Sequence, residues 1–110
     1  MGESRAYERL IRKLTTEVLW IYVARILLES QSLKAYEIKK KITEKFGIKP
    51  RTMTTYTVIY RMSREGLIKP VKVNGDTVYE LTEAGKREFN EAVKFLERMV
   101  EYLKRSPERI

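Results

Sequence analysis

The chain of 110 residues has 43% apolar side chains, a net charge of +8, and neither cysteine nor histidine. Its length suits one modest core that would gain from extra burial against a partner, and its apolar fraction excludes wholesale disorder. Without Cys or His there are no disulfides, thiol nucleophiles, imidazole bases or usual zinc ligands, so catalysis would rest on carboxylates, Lys or Tyr alone.

No stretch of about eighteen apolar residues exists to span a membrane. The polar opening, Met1 to Arg5, leads into a charged amphipathic segment rather than a secretory leader, which points to the cytoplasm. From Ser4 to Leu14, the apolar residues Tyr7, Leu10, Ile11 and Leu14 recur at helical spacing among Arg5, Arg9, Arg12 and Lys13. Thr15 and Thr16 offer an N-cap, with Glu17 in the following first turn, and predict a break or kink there. Val18 to Leu28 is apolar nearly all the way round, as in a helix buried on most faces.

Ser30-Gln31-Ser32 ends that helix, and Ser32 is the expected N-cap of a helix over Leu33 to Phe46. Ala35, Ile38, Ile42 and Phe46 mark its buried stripe, while Lys34, Lys40, Lys41 and Glu44 point away. Gly47 fits the position after the last turn, where positive φ favours glycine. Ile48-Lys49-Pro50 then connects tightly to a helix over Arg51 to Glu65, with Pro50 at or near its first position and Gly66 as its stop. A helix, a short turn containing Gly and a second helix make the helix-turn-helix pattern.

On the second of these helices Thr52, Thr55, Val58, Ile59 and Met62 fall on one side. The other side collects Met53, Thr54, Tyr56, Thr57, Tyr60, Arg61 and Arg64: bases, hydroxyls and phenols without an acid. Such a surface suits phosphates and base edges. Two β-prone runs follow, Leu67 to Val73 and Thr77 to Leu81. Asn74-Gly75 between them is the strongest short hairpin signal, because both residues must take positive φ. A helix-turn-helix followed by a hairpin is a winged helix.

Charge placement agrees. Eleven bases face three acids between Ser32 and Lys72, which accounts for the whole excess of +8, while the rest of the chain is balanced. Concentrated positive charge is the footprint of a polyanion partner.

Thr82 is a good N-cap for a final helix over Glu83 to Lys104. Phe89, Val93, Leu96, Val100 and Leu103 form one apolar row and Ala92, Phe95, Met99 and Tyr102 a second. Two adjacent rows exceed what one small domain covers, so this helix and the N-terminal helices are expected to pack against a second copy of the chain. Ser106 to Ile110, around the Pro107 stop, is expected to fray.

The blocks Leu33-Lys34-Ala35-Tyr36-Glu37-Ile38, Tyr56 ahead of Arg64-Glu65-Gly66-Leu67-Ile68, and Tyr79-Glu80-Leu81-Thr82-Glu83-Ala84-Gly85-Lys86 resemble the PadR family of winged-helix transcriptional regulators. The resemblance covers about Leu19 to Leu103. It implies a dimer bridged by N- and C-terminal helices, Tyr56 near the DNA backbone and a wing reaching the adjacent groove. The chain departs from the family pattern at Ala35, where Gly is common, at Thr57, where Pro often follows the tyrosine, and at Gln31, where Gly often ends the preceding helix. Some members sandwich a drug between aromatics across the dimer. Trp20 or Phe95 would stand in that place here, but an aromatic on an apolar helix face is ordinarily core, and nothing else indicates a small-molecule effector.

The expected architecture is mainly α with a small β-hairpin, a single winged helix-turn-helix domain over 1–110. Residues 1–30 form an N-terminal helical extension, 33–81 the helix-turn-helix plus wing, and 83–104 a long dimerisation helix. The expected function is a homodimeric, sequence-specific regulator on a palindromic operator in double-stranded DNA, requiring no cofactor or metal. Lys34, Lys40, Lys49, Arg51 and Lys72 are the expected phosphate contacts. Thr54, Tyr56, Thr57, Tyr60, Arg61 and Arg64 lie nearer base edges, and Lys72 and Asn74 belong to the wing. The alternative is a winged helix that binds protein or RNA without an operator. Enzymatic activity has the weakest basis, since acids such as Glu37 and Glu44 stand on helix surfaces among lysines, where solvated ion pairs are ordinary.

Overall fold

The computed structural model describes residues 4–105. Helix α1 (Arg5–Leu14) leads through a 3-10 turn (Thr16–Val18) to α2 (Leu19–Ser30), followed by a two-residue strand β1 (Ser32–Leu33) and α3 (Ala35–Phe46). Helix α4 (Thr52–Arg64), strands β2 (Ile68–Val73) and β3 (Asp76–Leu81), and α5 (Glu83–Lys104) complete the order. The segment expected to fray, Ser106 to Ile110, lies outside the described residues.

The core forms where the apolar stripes of α2, α3 and α4 converge. Leu19, Val23, Ile26 and Leu27 of α2 meet Ile38 and Ile42 of α3, Ile59 and Met62 of α4, and Ile68 of β2. Full burial of one such aliphatic side chain contributes about 2 kcal/mol. The rings of Tyr22 and Phe46 meet edge-on at 5.0 Å between centroids and fix α2 against α3. Thr55 is completely buried on α4, its hydroxyl satisfied by donating to the Arg51 carbonyl at 2.9 Å. Thr52, expected on the inner side with it, is exposed, because one turn earlier the helix has already cleared the core.

The helix boundaries depart from expectation in physically legible ways. Ser32 does not cap α3. It sits in β1, pairs with Glu80 of β3, and donates its hydroxyl to the Glu80 carboxylate at 2.9 Å. The cap is at Lys34, whose backbone N–H donates to Glu37 Oε1 at 2.8 Å, so the third helical residue reaches back to close the end. The sheet therefore has three antiparallel strands in the order β1-β3-β2, not a lone hairpin. Pro50 is buried one residue ahead of the Arg51 cap, and α4 begins at Thr52. The break after α1 is present, but Thr15 and Thr16 donate back to the Ile11 and Arg12 carbonyls instead of capping the next helix.

The hairpin turn is as expected, with φ of +52° at Asn74 and +84° at Gly75. Its base is tied to α5 by a compact set of hydrogen bonds. The Thr82 amide donates to the Leu67 carbonyl at 3.0 Å, and the Thr82 hydroxyl donates to the Gly66 carbonyl at 2.6 Å. The same hydroxyl accepts from the Gly85 amide at 3.0 Å, capping α5. Gly85 is buried here, and a Cβ on it would be driven into the Leu67 carbonyl oxygen with Leu81 Cδ1 only 2.6 Å away. The Glu-Gly-Leu-Ile and Leu-Thr-x-x-Gly blocks are thus the two halves of one joint.

Two faces stay uncovered. On α1, Tyr7, Leu10, Ile11 and Leu14 are all exposed. On α5, Phe89 packs against the core, whereas Leu96, Val100 and Leu103 are progressively bare, Leu103 at 85%. The radius of gyration of 16.2 Å exceeds the roughly 13 Å expected of a compact chain this long. No helix among the described residues is long and apolar enough to cross a membrane.

Candidate nucleic-acid interface

Helix α4 stands on the core through Thr55, Ile59 and Met62 and presents its opposite side to solvent. Thr57, Tyr60 and Arg64 lie at the centre of that outer side, with Met53 beside them. Met53 is 79% and Tyr60 63% exposed, and the Arg64 guanidinium lies 5.8 Å from the Tyr60 ring centre, a stacked cation at the end of the helix. Arg51 and Thr54 are exposed as well. The first turn of α4 carries no acid, so nothing in it opposes an approaching phosphate.

The flanks of α4 differ. Tyr56 and Thr52 face α3 across a shallow depression whose other wall is Tyr36, Lys39, Lys40 and Thr43. Arg61 borders a cleft on the opposite flank, beside Trp20 and among Glu17, Glu65 and Glu88. Arg61 is exposed, but it stands in a partly acidic setting, away from the middle of the outer face. Trp20 is half-buried against the core at this cleft, and Phe95 is exposed on α5.

The wing supplies exposed Lys69, Lys72 and Asn74. Lys49, in the turn before α4, is exposed too. Lys34 is already engaged: its ammonium lies 3.2 Å from Asp76 Oδ2, and hydrogen bonding to that carboxylate raises its pKa above the usual lysine value. The basic excess is therefore not all on one face. Lys45 bonds Glu29 of α2 at 2.9 Å, and Lys41 adds to the positive field there, so both belong to the α2 side of α3. The sequence count misses this because a tally of charges carries no direction. Tyr36 and Lys39 were not expected at the interface. Their position depends on how closely α3 and α4 approach, which periodicity along either helix does not show.

The family model of the transcriptional regulator PadR-like family matches residues 25–91, which run from α2 into α5. The chain belongs to the PadR-like family of transcriptional regulators. This PadR-like chain is accordingly a regulator and not an enzyme. Its fold is similar to that of a transcriptional regulator from Clostridium thermocellum, at 20% identity, with a TM-score of 0.73 and coverage of 93% of this chain and 95% of the other. A PadR-family transcriptional regulator from Eggerthella lenta aligns at 20% identity and a TM-score of 0.67, covering 91% and 94% of the two chains. A winged-helix DNA-binding protein from STIV aligns at 20% identity and a TM-score of 0.68 over 78% of this chain and 94% of its own. No curated protein matches the chain.

Proposed function

We propose that this PadR-like regulator binds double-stranded DNA sequence-specifically as a homodimer, on a palindromic operator, in the cytoplasm. One observation carries the reading: α4 exposes an acid-free face of threonines, tyrosines and Arg64 beside the wing, with its inner side fixed on the core. The chain acts as one winged-helix unit over 1–110, in which 33–81 dock and 83–104 join two copies.

Set into the major groove, Thr54, Tyr56, Thr57, Tyr60 and Arg64 meet base edges or the adjoining backbone, with Arg61 at the rim. An arginine gripping guanine through two hydrogen bonds discriminates by about 1–3 kcal/mol. Lys40, Lys49, Arg51 and Lys72 meet phosphates, and Asn74 brings the wing tip to the neighbouring groove. Lys34, held by Asp76, acts on the wing more than on DNA. Two copies joined through Val93, Leu96, Val100 and Leu103, together with the bare face of α1 and with Phe89 spent on its own core rather than on the partner, place two α4 helices about 34 Å apart on one side of the duplex.

Selection of bound duplexes from a random library tests this directly. The expected product is a two-fold symmetric motif whose affinity falls steeply with salt. Recovery of no motif, with binding indifferent to salt, would favour the exposed Met53 as part of a protein-binding surface.

A further inference from the structure

Tyr36 is 57% exposed on the lining of the α3–α4 depression. Around it the depression gathers a second phenol, Tyr56, the Thr52 hydroxyl, and the ammonium groups of Lys39 and Lys40, while the Thr43 hydroxyl on the same wall already donates to the Lys39 carbonyl at 3.3 Å. Glu44 is the one acid on its lining. At the same place α4 begins. The Arg51 side chain caps none of the first-turn amides, and those amides have no acceptor within the helix. An anion with several acceptor oxygens matches that set of donors better than a planar or apolar ligand does.

A further contact ties the depression to the wing. Lys34 lies 5.9 Å from the centre of the Tyr36 ring while its ammonium is held by Asp76, the first residue of β3. The ring and the hairpin are thereby located by the same lysine.

We propose that this depression seats one backbone phosphate of duplex DNA, with Tyr36 donating its hydroxyl and Lys39 and Lys40 supplying the charge. Lys34 serves as a positioning residue that sets Tyr36 relative to the wing. The inference rests on the DNA-docking reading and adds to it a contact that fixes register without reading sequence.

The test uses the full chain, one short duplex of arbitrary sequence and one selected by the wild-type protein. Tyr36→Phe keeps the ring and removes the hydroxyl, and Lys40→Ala removes an exposed charge, so both are expected to melt as the wild type does. Each should weaken binding to both duplexes by the same factor, roughly tenfold, with their ratio unchanged. Lys40→Ala should also lower the salt slope by about one. Replacing single phosphates by neutral methylphosphonates should reveal one position per half-site whose neutralisation costs the wild type more than it costs Tyr36→Phe, which keeps the two lysines but not the hydroxyl. The proposal is overturned if the wild type binds with steep salt dependence and both variants match it. It is equally overturned if their losses are confined to the selected duplex, since that would make these residues base readers. A wild-type protein that ignores DNA altogether overturns the docking reading itself.

Discussion

At Gly85 a single hydrogen atom separates a tight joint from a clash. Any side chain there meets the backbone of Leu67, which cannot swing aside as a flexible side chain would. Gly85→Ala is expected to destabilise the fold by about 1–3 kcal/mol, readable as a lower urea midpoint at unchanged slope. Gln31 poses the opposite case. Its φ of +67° and ψ of −68° describe a tight turn that L-residues adopt only under strain, at the position where the family pattern has glycine. Gln31→Gly should therefore stabilise by about 1 kcal/mol in the same measurement, a gain that ordinary surface substitutions to glycine do not give.

Glu29 gives a residue-scale prediction in pH. Its carboxyl accepts a hydrogen bond from Lys45 and feels Lys45, Arg25 and Lys41, which together hold its pKa below the ordinary 4.5 against partial desolvation. A depressed folded-state value means that ionised Glu29 stabilises the fold above 4.5, and that this contribution is lost as pH falls through the lowered value. Melting of Glu29→Gln should thus lie below wild type at neutral pH and converge with it in acid. An unchanging gap across that range would show that the ion pairs contribute nothing.

Among elements, α4 and the hairpin were the most legible in the sequence, because each announces itself through local chemistry. Thr55, Ile59 and Met62 recur at helical spacing, and Asn74-Gly75 demands a specific turn. Strand β1 was not legible. Two residues are too few to show a period, and Ser32 is by type a good cap, so its pairing with Glu80 depends on where β3 arrives in space. The same limit applied to the interface: composition identified a basic third of the chain, but Lys41 and Lys45 turn toward Glu29, and Lys34 toward Asp76. The position of Arg61 yields a prediction at this scale. Arg64→Ala is expected to cut affinity for the selected duplex by more than Arg61→Ala does, since Arg64 is central on the outer face and Arg61 borders Glu17, Glu65 and Glu88. Equal losses would mean that α4 enters the groove rolled toward α2.

For the whole molecule, the proposed pairing of two copies turns on the uncovered apolar residues of α1 and α5. Leu103→Glu together with Val100→Glu should yield a monomer in sedimentation, since each would place a carboxylate in the apolar contact proposed for two copies. The helical content should change little, because both side chains are exposed in the single chain. Affinity for a two-fold symmetric duplex should fall steeply, while binding to a half-site should survive. A double variant that still sediments as a dimer would move the contact elsewhere, with the bare face of α1 next in line.

The joint at Thr82 has a mechanical consequence. The hydroxyl and amide that start α5 are bonded to the carbonyls of Gly66 and Leu67, immediately after α4 ends, so the two helices behave as the arms of a welded bracket. In a dimer closed through α5, the gap between the reading helices is then a gauge length, adjusted only by tilting one long arm against its twin. A wedge driven between those arms would spread the tips as callipers open, and the protein would lose its grip on DNA with every contact residue still intact.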